Sequence, residues 1–553
     1  MLRFRRPRRP RRSLALRGTA LLGAVVLVAS CSSGDSSEGS GEGTTLTAAW
    51  GYLGTMDWSP AGSASDNEKV LSLISNALVG LNHETLELQG ELAESYTLSD
   101  DGRTWDFKLR PDVKFQGGYG TLTAEDVKYN WAEYISPESA HGAAEQLAQA
   151  VDGDMKNFEI VNDLEFKLHT TKPIVHLPAV LCSCASGMAI LSKKYADASD
   201  PQTIANHPIG TGPWEFVSSN PGVEVVLKKF NDYWGEPKPS FDNLILQEIP
   251  DDAARLLQVQ SGAADIAELS PPLVTEAQQA GLQVKTVPSV GNVFVILGGS
   301  YWGDPQCCKL DANAPWIQAD NLPAGKAVRE AMSLAIDRNL ILDTILKGNG
   351  ELSYGPLLQY NNNKLLTDPS WALPQFDLNL AKQKLAEGGY PNGFPVTMFI
   401  YEGGETDIPS ISEAIAGMWE KLGLQVQRQK ADEDVLDERL DKADTAGLAW
   451  VKLAGFSAEP ALELGRYIEA RGRDQKFLHP VIEENYLKMV AEPNRDVRFA
   501  EARDIISALA RDSIVLPLFT ADMAFVAGPR VGEWSPIPGL NAFSGFETIT
   551  PAQ

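Results

Sequence analysis

The residues of this chain that could do catalytic chemistry do not fall into a catalytic pattern. His83-Glu84 begins an H-E-x-x-H zinc motif, but Glu87 stands where the second histidine is needed. Gly455-Phe456-Ser457 begins a nucleophile elbow, but Glu459 replaces its second glycine. Gly325-Lys326 lacks the Ser or Thr that completes a phosphate-binding loop. We therefore expect a protein that is not an enzyme, with no catalytic residues, no cofactor and no metal.

The cysteine nearest the N-terminus lies in a lipidation motif. Residues 3–12 are rich in arginine, residues 14–29 are mostly apolar, and Val28-Ala29-Ser30-Cys31 matches the lipobox of bacterial lipoproteins. The apolar run at 19–29 is too short to span a bilayer, which disfavours a transmembrane anchor. We predict a signal peptide over 1–30, a lipid on Cys31, and a Ser/Gly/Glu-rich flexible tether over 31–44.

The four remaining cysteines are Cys182, Cys184, Cys307 and Cys308. Outside the cytoplasm such a set predicts disulfides, here two bridges at most, with the pairing left open. The alternatives are a soft-metal site, formed by the C-x-C and C-C pairs together, and unpaired thiols.

Composition excludes whole classes of function. The 553 residues carry 48 Lys+Arg against 73 Asp+Glu, a net charge of −25. Removal of residues 1–30, with their eight arginines, would leave 40 against 73, a net charge of −33. So acidic a surface repels phosphate backbones, so we expect no nucleic-acid partner. The length predicts two or three packed units with a sizeable core.

Local patterns predict alternating strands and helices. Residues 104–109 alternate apolar and polar side chains as a half-buried strand does, and Asn162-Asp163 reads as a hairpin turn between two strands. Thr123, with an acid three residues later, predicts a helix start, and Gly423 predicts a helix end before a strand. Apolar residues at three- and four-residue steps predict one continuous helix over 325–346.

An ordered set of motifs resembles the family 5 solute-binding proteins of bacterial ABC importers, which take up oligopeptides, dipeptides, nickel complexes and some oligosaccharides. The matching stretches cover most of residues 50–530. They are 90–96, 99–105, 107–110, 113–115, 123–127, Pro208-Ile209-Gly210-Thr211-Gly212-Pro213-Trp214, Asn231-Asp232-Tyr233-Trp234, 262–266, 328–332, Ala335-Ile336-Asp337-Arg338 and 381–390.

The resemblance implies a large, class II-like two-lobed periplasmic-binding-protein fold of α/β class, with an extra α/β domain inserted in the first lobe. By position, lobe I would combine 45–80, 208–290 and 515–553, the inserted domain would be 81–207, and lobe II would be 291–514. Chain crossings near 290 and 515 would form the hinge. A ligand that contacts both lobes only in the closed state would shift the open–closed equilibrium.

The resemblance also implies ligand-facing residues. The loop from Tyr52 to Pro60 lies where the family carries a Leu-Asp-Pro turn, and Trp58 replaces that proline; the alternative for Trp58 is core or turn packing. Asn292 and Phe294 lie at the first crossing, with core packing as the alternative for Phe294. Trp302, beside Cys307 and Cys308, would line the cleft.

Peptide-binding members carry a tryptophan and then an aspartate, which pairs with the peptide amine, before an acidic-Pro step. Here the stretch from Trp450 to Glu459-Pro460 lacks that aspartate and has Lys452 two residues after the tryptophan. A buried cation repels an ammonium, so the usual amine clamp is in doubt. Lys452 would instead meet a carboxylate or phosphate, or face solvent. Trp450, Lys452 and Phe456 complete the predicted site.

The resemblance implies a monomer that binds a small ligand and delivers it to ABC permease and ATPase subunits. It would act outside the cytoplasm, held to the cell membrane by its lipid. An oligopeptide is the default ligand, and an oligosaccharide or metal chelate is the alternative within the family. A surface lipoprotein hydrolase and a ligand sensor without a transporter are the alternatives of other classes.

Overall fold

A computed structural model gives the structure of most of the chain. It describes residues 44–62, 65–82, 85, 87–184, 187–299, 314–318, 320–353, 355, 368–402, 407–442, 444–455, 459–468, 480–534, 536 and 545–553. Cys31 and the predicted signal peptide and tether up to residue 43 therefore lie outside the described residues. Within the described part, no helix combines the length and apolar character needed to cross a membrane.

The strands, in chain order, are β1 (Thr45–Trp50), β2 (Val79–Leu81), β3 (Leu88–Gly90), β4 (Ala93–Leu98), β5 (Thr104–Leu109), β6 (Phe158–Asn162), β7 (Glu165–His169), β8 (Trp214–Asn220), β9 (Glu224–Lys229), β10 (Asn243–Glu248), β11 (Ile266–Leu269), β12 (Gln283–Leu297), β13 (Gly350–Leu352), β14 (Pro395–Glu402), β15 (Gln425–Asp432), β16 (Leu448–Gly455) and β17 (Val515–Ala527).

The helices are α1 (Ser65–Ile74), α2 (Ala124–Tyr134), α3 (Ala144–Gln149), α4 (Leu177–Val180), α5 (Lys193–Asp197), α6 (Pro201–Asn206), α7 (Asp252–Ser261), α8 (Val274–Gln279), α9 (Leu322–Leu334), α10 (Arg338–Thr344), α11 (Leu378–Glu387), α12 (Ile408–Leu422), α13 (Glu433–Asp441), α14 (Pro460–Ile468), α15 (Pro480–Met489) and α16 (Arg495–Arg511).

One large sheet runs through most of the molecule. Its order is β15-β14-β16-β12-β17-β11-β1-β10-β9-β8, with β13 paired to β17. The two longest strands, β12 and β17, lie antiparallel at its centre, from Gln283 opposite Ala527 to Ile296 opposite Val515. Their pairing shifts register between Val287 and Gly291, which separates the sheet into two halves.

The described apolar side chains form separate cores on either side of that shift. One core takes residues from 46–74, 189–191, 214–287 and 523–549, and a smaller one lies under α7 and α8; we call this part lobe I. Another takes residues 78–209, the inserted domain, and the largest takes residues 293–521, lobe II. The boundaries given above for these units stay predictions.

The inserted domain is built on the antiparallel sheet β4-β5-β7-β6. Phe107 and Phe158 stack on opposite sides of Phe166, with ring centroids 4.9 and 4.7 Å apart. Gln116 ties this domain to lobe I, because its side-chain amide donates to the carbonyls of Ile74, Gly212 and Trp214 at 2.9–3.0 Å. The two units are thus joined by buried hydrogen bonds.

Most local expectations are confirmed, and one is wrong. The strand at 104–109, the hairpin at 162–163, the helix start after Thr123 and the helix end at Gly423 all stand as predicted. The expected helix at 325–346 is instead two helices, α9 and α10. The Asp337 carboxylate accepts a hydrogen bond from the Leu340 N–H at 3.0 Å, and this N-cap begins a new helix.

A buried arginine fastens lobe II to the central strand β17. Arg338 donates to the Pro517 carbonyl at 2.7 Å, to the Ser333 carbonyl at 3.0 Å and to the Ser333 hydroxyl at 2.8 Å. Burial lowers the pKa of Arg338 to about 10, which still leaves the guanidinium charged at neutral pH. The buried charge of Arg338 is therefore stabilised by those carbonyl acceptors.

Replacing Arg338 by Met should lower the free energy of unfolding by about 3 kcal/mol, because buried carbonyls lose their donors. Urea denaturation followed by tryptophan fluorescence measures this. Arg503→Met, at an exposed position of α16, is the matched control and should change the free energy by less than ~0.5 kcal/mol. Equal losses in the two variants would contradict the role given to Arg338.

Candidate functional site

The strand directions place two sets of strand ends opposite each other. In lobe I, β1 runs parallel to β10 and β11, and in lobe II, β14 runs parallel to β15 and β16. Leu269 at the end of β11 pairs with Ala524, and Gly455 at the end of β16 pairs with Gly291, so both ends point toward the register shift. Ligands of open α/β sheets bind at such carboxyl ends.

Contacts cross between these two edges. Asn349, just before β13, donates to the Pro271 carbonyl of lobe I at 3.3 Å. Asp407, which precedes α12 in lobe II, lies close enough to Asp252 of lobe I for their charges to interact. We call the space between the edges the cleft, and these contacts show that its two sides meet.

Asp407 is a half-buried carboxylate at the cleft. Its Oδ2 atom has no hydrogen-bond partner among the described residues. Burial, and then the neighbouring charge of Asp252, raise the pKa of Asp407. An ionised Asp407 would gain from any donor or cation that entered the cleft beside it.

Arg255 on α7 holds the carboxylate of Asp252, on the lobe I side of the cleft, in place. Its guanidinium pairs with Asp252 and donates to the carbonyls of Ile249 at 2.8 Å, Pro250 at 3.1 Å and Glu268 at 3.0 Å. These acceptors follow β10 and lie in β11. One buried side chain therefore holds two strand ends of lobe I together and orients Asp252.

Asn292 lies at the hinge, where β12 passes from one lobe to the other. It is 3% exposed and sits between Thr520 of β17 and Ala454 of β16. Its side-chain amide donates to the Gly355 carbonyl at 3.3 Å, while its Oδ1 atom lacks a partner among the described residues. A buried acceptor without a donor is costly, so this atom is suited to meet a ligand N–H or O–H.

The loop after β1 is held by hydrogen bonds from its backbone to side chains of neighbouring elements. Glu248 accepts from the Leu53 N–H at 3.2 Å, and Asn67 accepts from the Met56 N–H at 3.1 Å, where the Met56 backbone is left-handed (φ 59°). Tyr52 is 46% exposed, whereas Trp58 is fully buried in the core of lobe I. Of the two roles predicted for Trp58, the structure shows core packing. A ligand contact of Tyr52 stays a prediction.

The predicted residues on β12 and β16 are brought together, but mainly in the core. Phe294 lies opposite Lys452, and Trp450 opposite Ile296. Phe294 and Trp450 are fully buried among the apolar side chains of lobe II, and Lys452 is half-buried. The ligand roles of these three residues stay predictions. Because Trp450 is a core residue, replacing it by a smaller side chain would destabilise lobe II, so a loss of binding in that variant would not show a ligand contact.

The remaining predicted residues divide into two groups. Cys182 and Cys184 form a disulfide with each other in the inserted domain. Trp302, Phe456, Cys307 and Cys308 lie outside the described residues. Asp252 and Asp407 were missed by the sequence analysis, since neither lies in a motif and 155 positions separate them.

The comparisons with known proteins settle the family. The profile of the bacterial extracellular solute-binding proteins, family 5 (middle region), matches residues 87–461, more than half of the chain. The chain belongs to this family. Family membership supports the extracytoplasmic location expected from the N-terminus.

Individual relatives differ in what they are named for. Heme-binding protein A of Haemophilus influenzae is 26% identical over 383 residues, covering 63% of this chain and 63% of the relative, which is less than two thirds of its length. The nickel-binding periplasmic protein of Escherichia coli is 24% identical over 496 residues, covering 83% of this chain and 86% of the relative. Family membership therefore does not choose a ligand.

Solved structures support the fold. DppA of Helicobacter pylori, a periplasmic binding protein in complex with the peptide STSA, has a TM-score of 0.70 at 22% identity and covers 92% of this chain and 98% of its own. This likeness confirms the expected two-lobed α/β fold.

Replacing Asp407 by Asn should raise the Tm at pH 8. The pKa of Asp407 is raised in the folded chain, so its ionised form destabilises the native state above that pKa. Asparagine removes the charge, and the Asp407 side chain makes no capping hydrogen bond to α12 that the change would lose. The gain should shrink as pH falls toward 4, where the wild-type carboxyl becomes neutral. Differential scanning fluorimetry at both pH values measures this.

Asp504→Asn, at an exposed position of α16, is the control and should leave the Tm unchanged. A wild-type-like Tm for Asp407→Asn at pH 8 would contradict the electrostatic description of the cleft.

Proposed function

We propose that this chain is the lipid-anchored solute-binding component of an ABC importer. It captures a small ligand between its lobes by hinge closure and delivers it to the permease and ATPase subunits. The relatives are named as binding proteins, which supports binding rather than catalysis as its role.

The observation that carries this proposal is the opposed pair of strand edges across the β12–β17 crossing. Each edge offers half of a site, and in this structure Asp252 from one edge and Asp407 from the other lie close enough for their charges to interact. A ligand that contacts both edges stabilises the closed state over the open one. A shift from mostly open to mostly closed requires a differential affinity of about 5 kcal/mol.

The lipid anchor is supported by the lipobox at Val28-Ala29-Ser30-Cys31 and by the short polar tether after it. Thr44 is the first described residue, and its N–H donates to the Asp242 carboxylate at 2.8 Å at the edge of lobe I. The anchored segment would therefore enter the fold at lobe I and leave lobe II unattached.

We propose a short peptide, or a related amine-bearing compound, as the ligand. The Asn292 Oδ1 atom and the Asp407 carboxylate both call for hydrogen-bond donors, which peptide ammonium and amide groups supply. The missing aspartate between Trp450 and Pro460 means that the amine would be met elsewhere than in the usual clamp, and the Asp252–Asp407 side of the cleft is the place we propose. Sugar hydroxyls are hydrogen-bond donors too, so oligosaccharides are the alternative ligand class against which peptides are compared.

A thermal-shift screen of the purified chain at pH 8 tests the ligand class. Peptides of two to six residues, oligosaccharides and nickel chelates would each be added in excess, because a ligand that binds the native state raises the Tm by mass action. We expect peptides with an unblocked N-terminus to raise the Tm and N-acetylated peptides to raise it less. A shift with sugars or chelates alone would overturn the peptide assignment.

Replacing Asn292 by Leu should weaken binding of the best peptide at least tenfold, roughly 1.4 kcal/mol, because the ligand donor loses its buried acceptor. Isothermal titration calorimetry measures the Kd. Asn157→Leu is the matched control, since that half-buried asparagine donates to the Val151 carbonyl inside the inserted domain. An unchanged Kd for Asn292→Leu would remove this residue from the site.

A further inference from the structure

A buried ion pair lies where lobe II meets the inserted domain. Arg498 on α16 donates to Glu459 at 2.9 and 3.4 Å, and both side chains are less than one tenth exposed. Arg498 also donates to the carbonyls of Glu492 at 3.0 Å and Pro493 at 2.8 Å. Four hydrogen bonds thus fix the guanidinium within lobe II.

His176 of the inserted domain lies close enough to this pair for the charge of Arg498 to act on it. It immediately precedes α4, and its Nδ1 atom is buried without a hydrogen-bond partner among the described residues. Burial, and then the charge of Arg498, lower the pKa of His176 to about 4. The imidazole is therefore neutral at neutral pH in this arrangement, near a guanidinium that Glu459 and two carbonyls hold in place.

Other contacts mark the same interface. Arg495, one turn before Arg498 on α16, lies 3.5 Å from the Glu87 carboxylate of the inserted domain. Leu462 of α14 packs against the core of the inserted domain. Arg498 is the charged group that acts on His176, Glu459 is the ion-pair partner of Arg498, and the Arg495–Glu87 pair lies at the same interface, while α4 itself carries no titratable side chain. The His176 residue is half-buried in this structure, and separating the lobes would expose its buried Nδ1 atom to water.

We propose that His176 makes closure sensitive to pH, so that acid opens the cleft and releases the ligand. A proton on His176 in the closed state would be buried beside Arg498, whereas in the open state it would be solvated. The proposal rests on the hinge closure put forward under the proposed function.

The direction follows from the two protonation equilibria. The closed state holds His176 neutral down to about pH 4, while an exposed histidine takes up its proton near its ordinary value of 6.5. The open state therefore binds more protons below pH 6.5, and closure loses free energy as pH falls from 6.5 to 4. At pH 5.5 the closed-to-open ratio should be about tenfold smaller than at pH 8.

Asp407 acts in the opposite direction. Its pKa is raised by burial and by Asp252 in the closed arrangement, so its protonation favours closure in acid. An Asp407→Asn variant removes this contribution, and its response to pH between 8 and 5.5 should be at least as large as that of the wild type. The two residues can therefore be separated by experiment.

Small-angle X-ray scattering of the full chain at pH 8 and pH 5.5, with the peptide that raises the Tm most in the screen present in excess, measures the radius of gyration of the wild type and of His176→Gln. We expect the wild type to expand in acid and His176→Gln, which stays neutral, to keep one radius. His169→Gln is the matched control, because His169 is a partly exposed histidine of the same domain that pairs with Glu159; it should expand like the wild type.

An NMR titration of the histidine Cε1–H signals gives a second readout, with His176→Gln assigning the resonance. A His176 signal that titrates near 6.5, or a wild-type radius equal at the two pH values, would overturn the proposal. The peptide screen at pH 8 tests ligand binding separately, since His176 is neutral there in both states. If the protein binds peptide at pH 8 but keeps the same radius at both pH values, the acid-response proposal is excluded and the proposed binding function stands.

Discussion

The whole architecture depends on one antiparallel pairing, that of β12 with β17. Both strands pass from lobe I into lobe II, and their ladder is interrupted between Val287 and Gly291. On one side of the interruption β17 pairs with β11, and on the other β12 pairs with β16. Two strands with a weakened middle are stiff along their length but can bend at one place, which is what a hinge requires.

In both lobes, buried arginines satisfy backbone carbonyls with their side-chain donors. Arg255 in lobe I, Arg338 beside β17 and Arg498 in lobe II each donate to two or more backbone carbonyls. A guanidinium has five N–H donors in a rigid plane, so one side chain can satisfy several carbonyls that no strand or helix pairs. The cleft edges are thereby fixed, and the bend is left to the two long strands.

The sequence predicted what local chemistry decides. Thr123 with Asp126, and Gly423 after Leu422, act within one helical turn, so their helix ends could be read directly. The break at Asp337 was missed because apolar spacing continues through it, and only the capping carboxylate stops the helix. The ordered motifs gave the two-lobed fold because they mark elements along the whole chain.

The site was harder to predict because it depends on contacts between distant segments. Trp58, Phe294 and Trp450 were placed at the ligand by their position in the family resemblance, which does not show how each side chain packs. All three lie in cores, and their ligand roles stay predictions. The Asp252–Asp407 interaction and the effect of the Arg498 charge on His176 are made by side chains from different units. No residue spacing in the sequence predicts such interactions between distant segments.

The central position of β17 has a consequence for biogenesis. This strand lies between β12 and β11, yet it follows every other strand of the large sheet along the chain. Until residues 515–527 have been synthesised, β15-β14-β16-β12 and β11-β1-β10-β9-β8 have no described strand to join them. The two half-sheets would therefore keep open edges at β12 and β11 during synthesis, and this one strand would complete both at once.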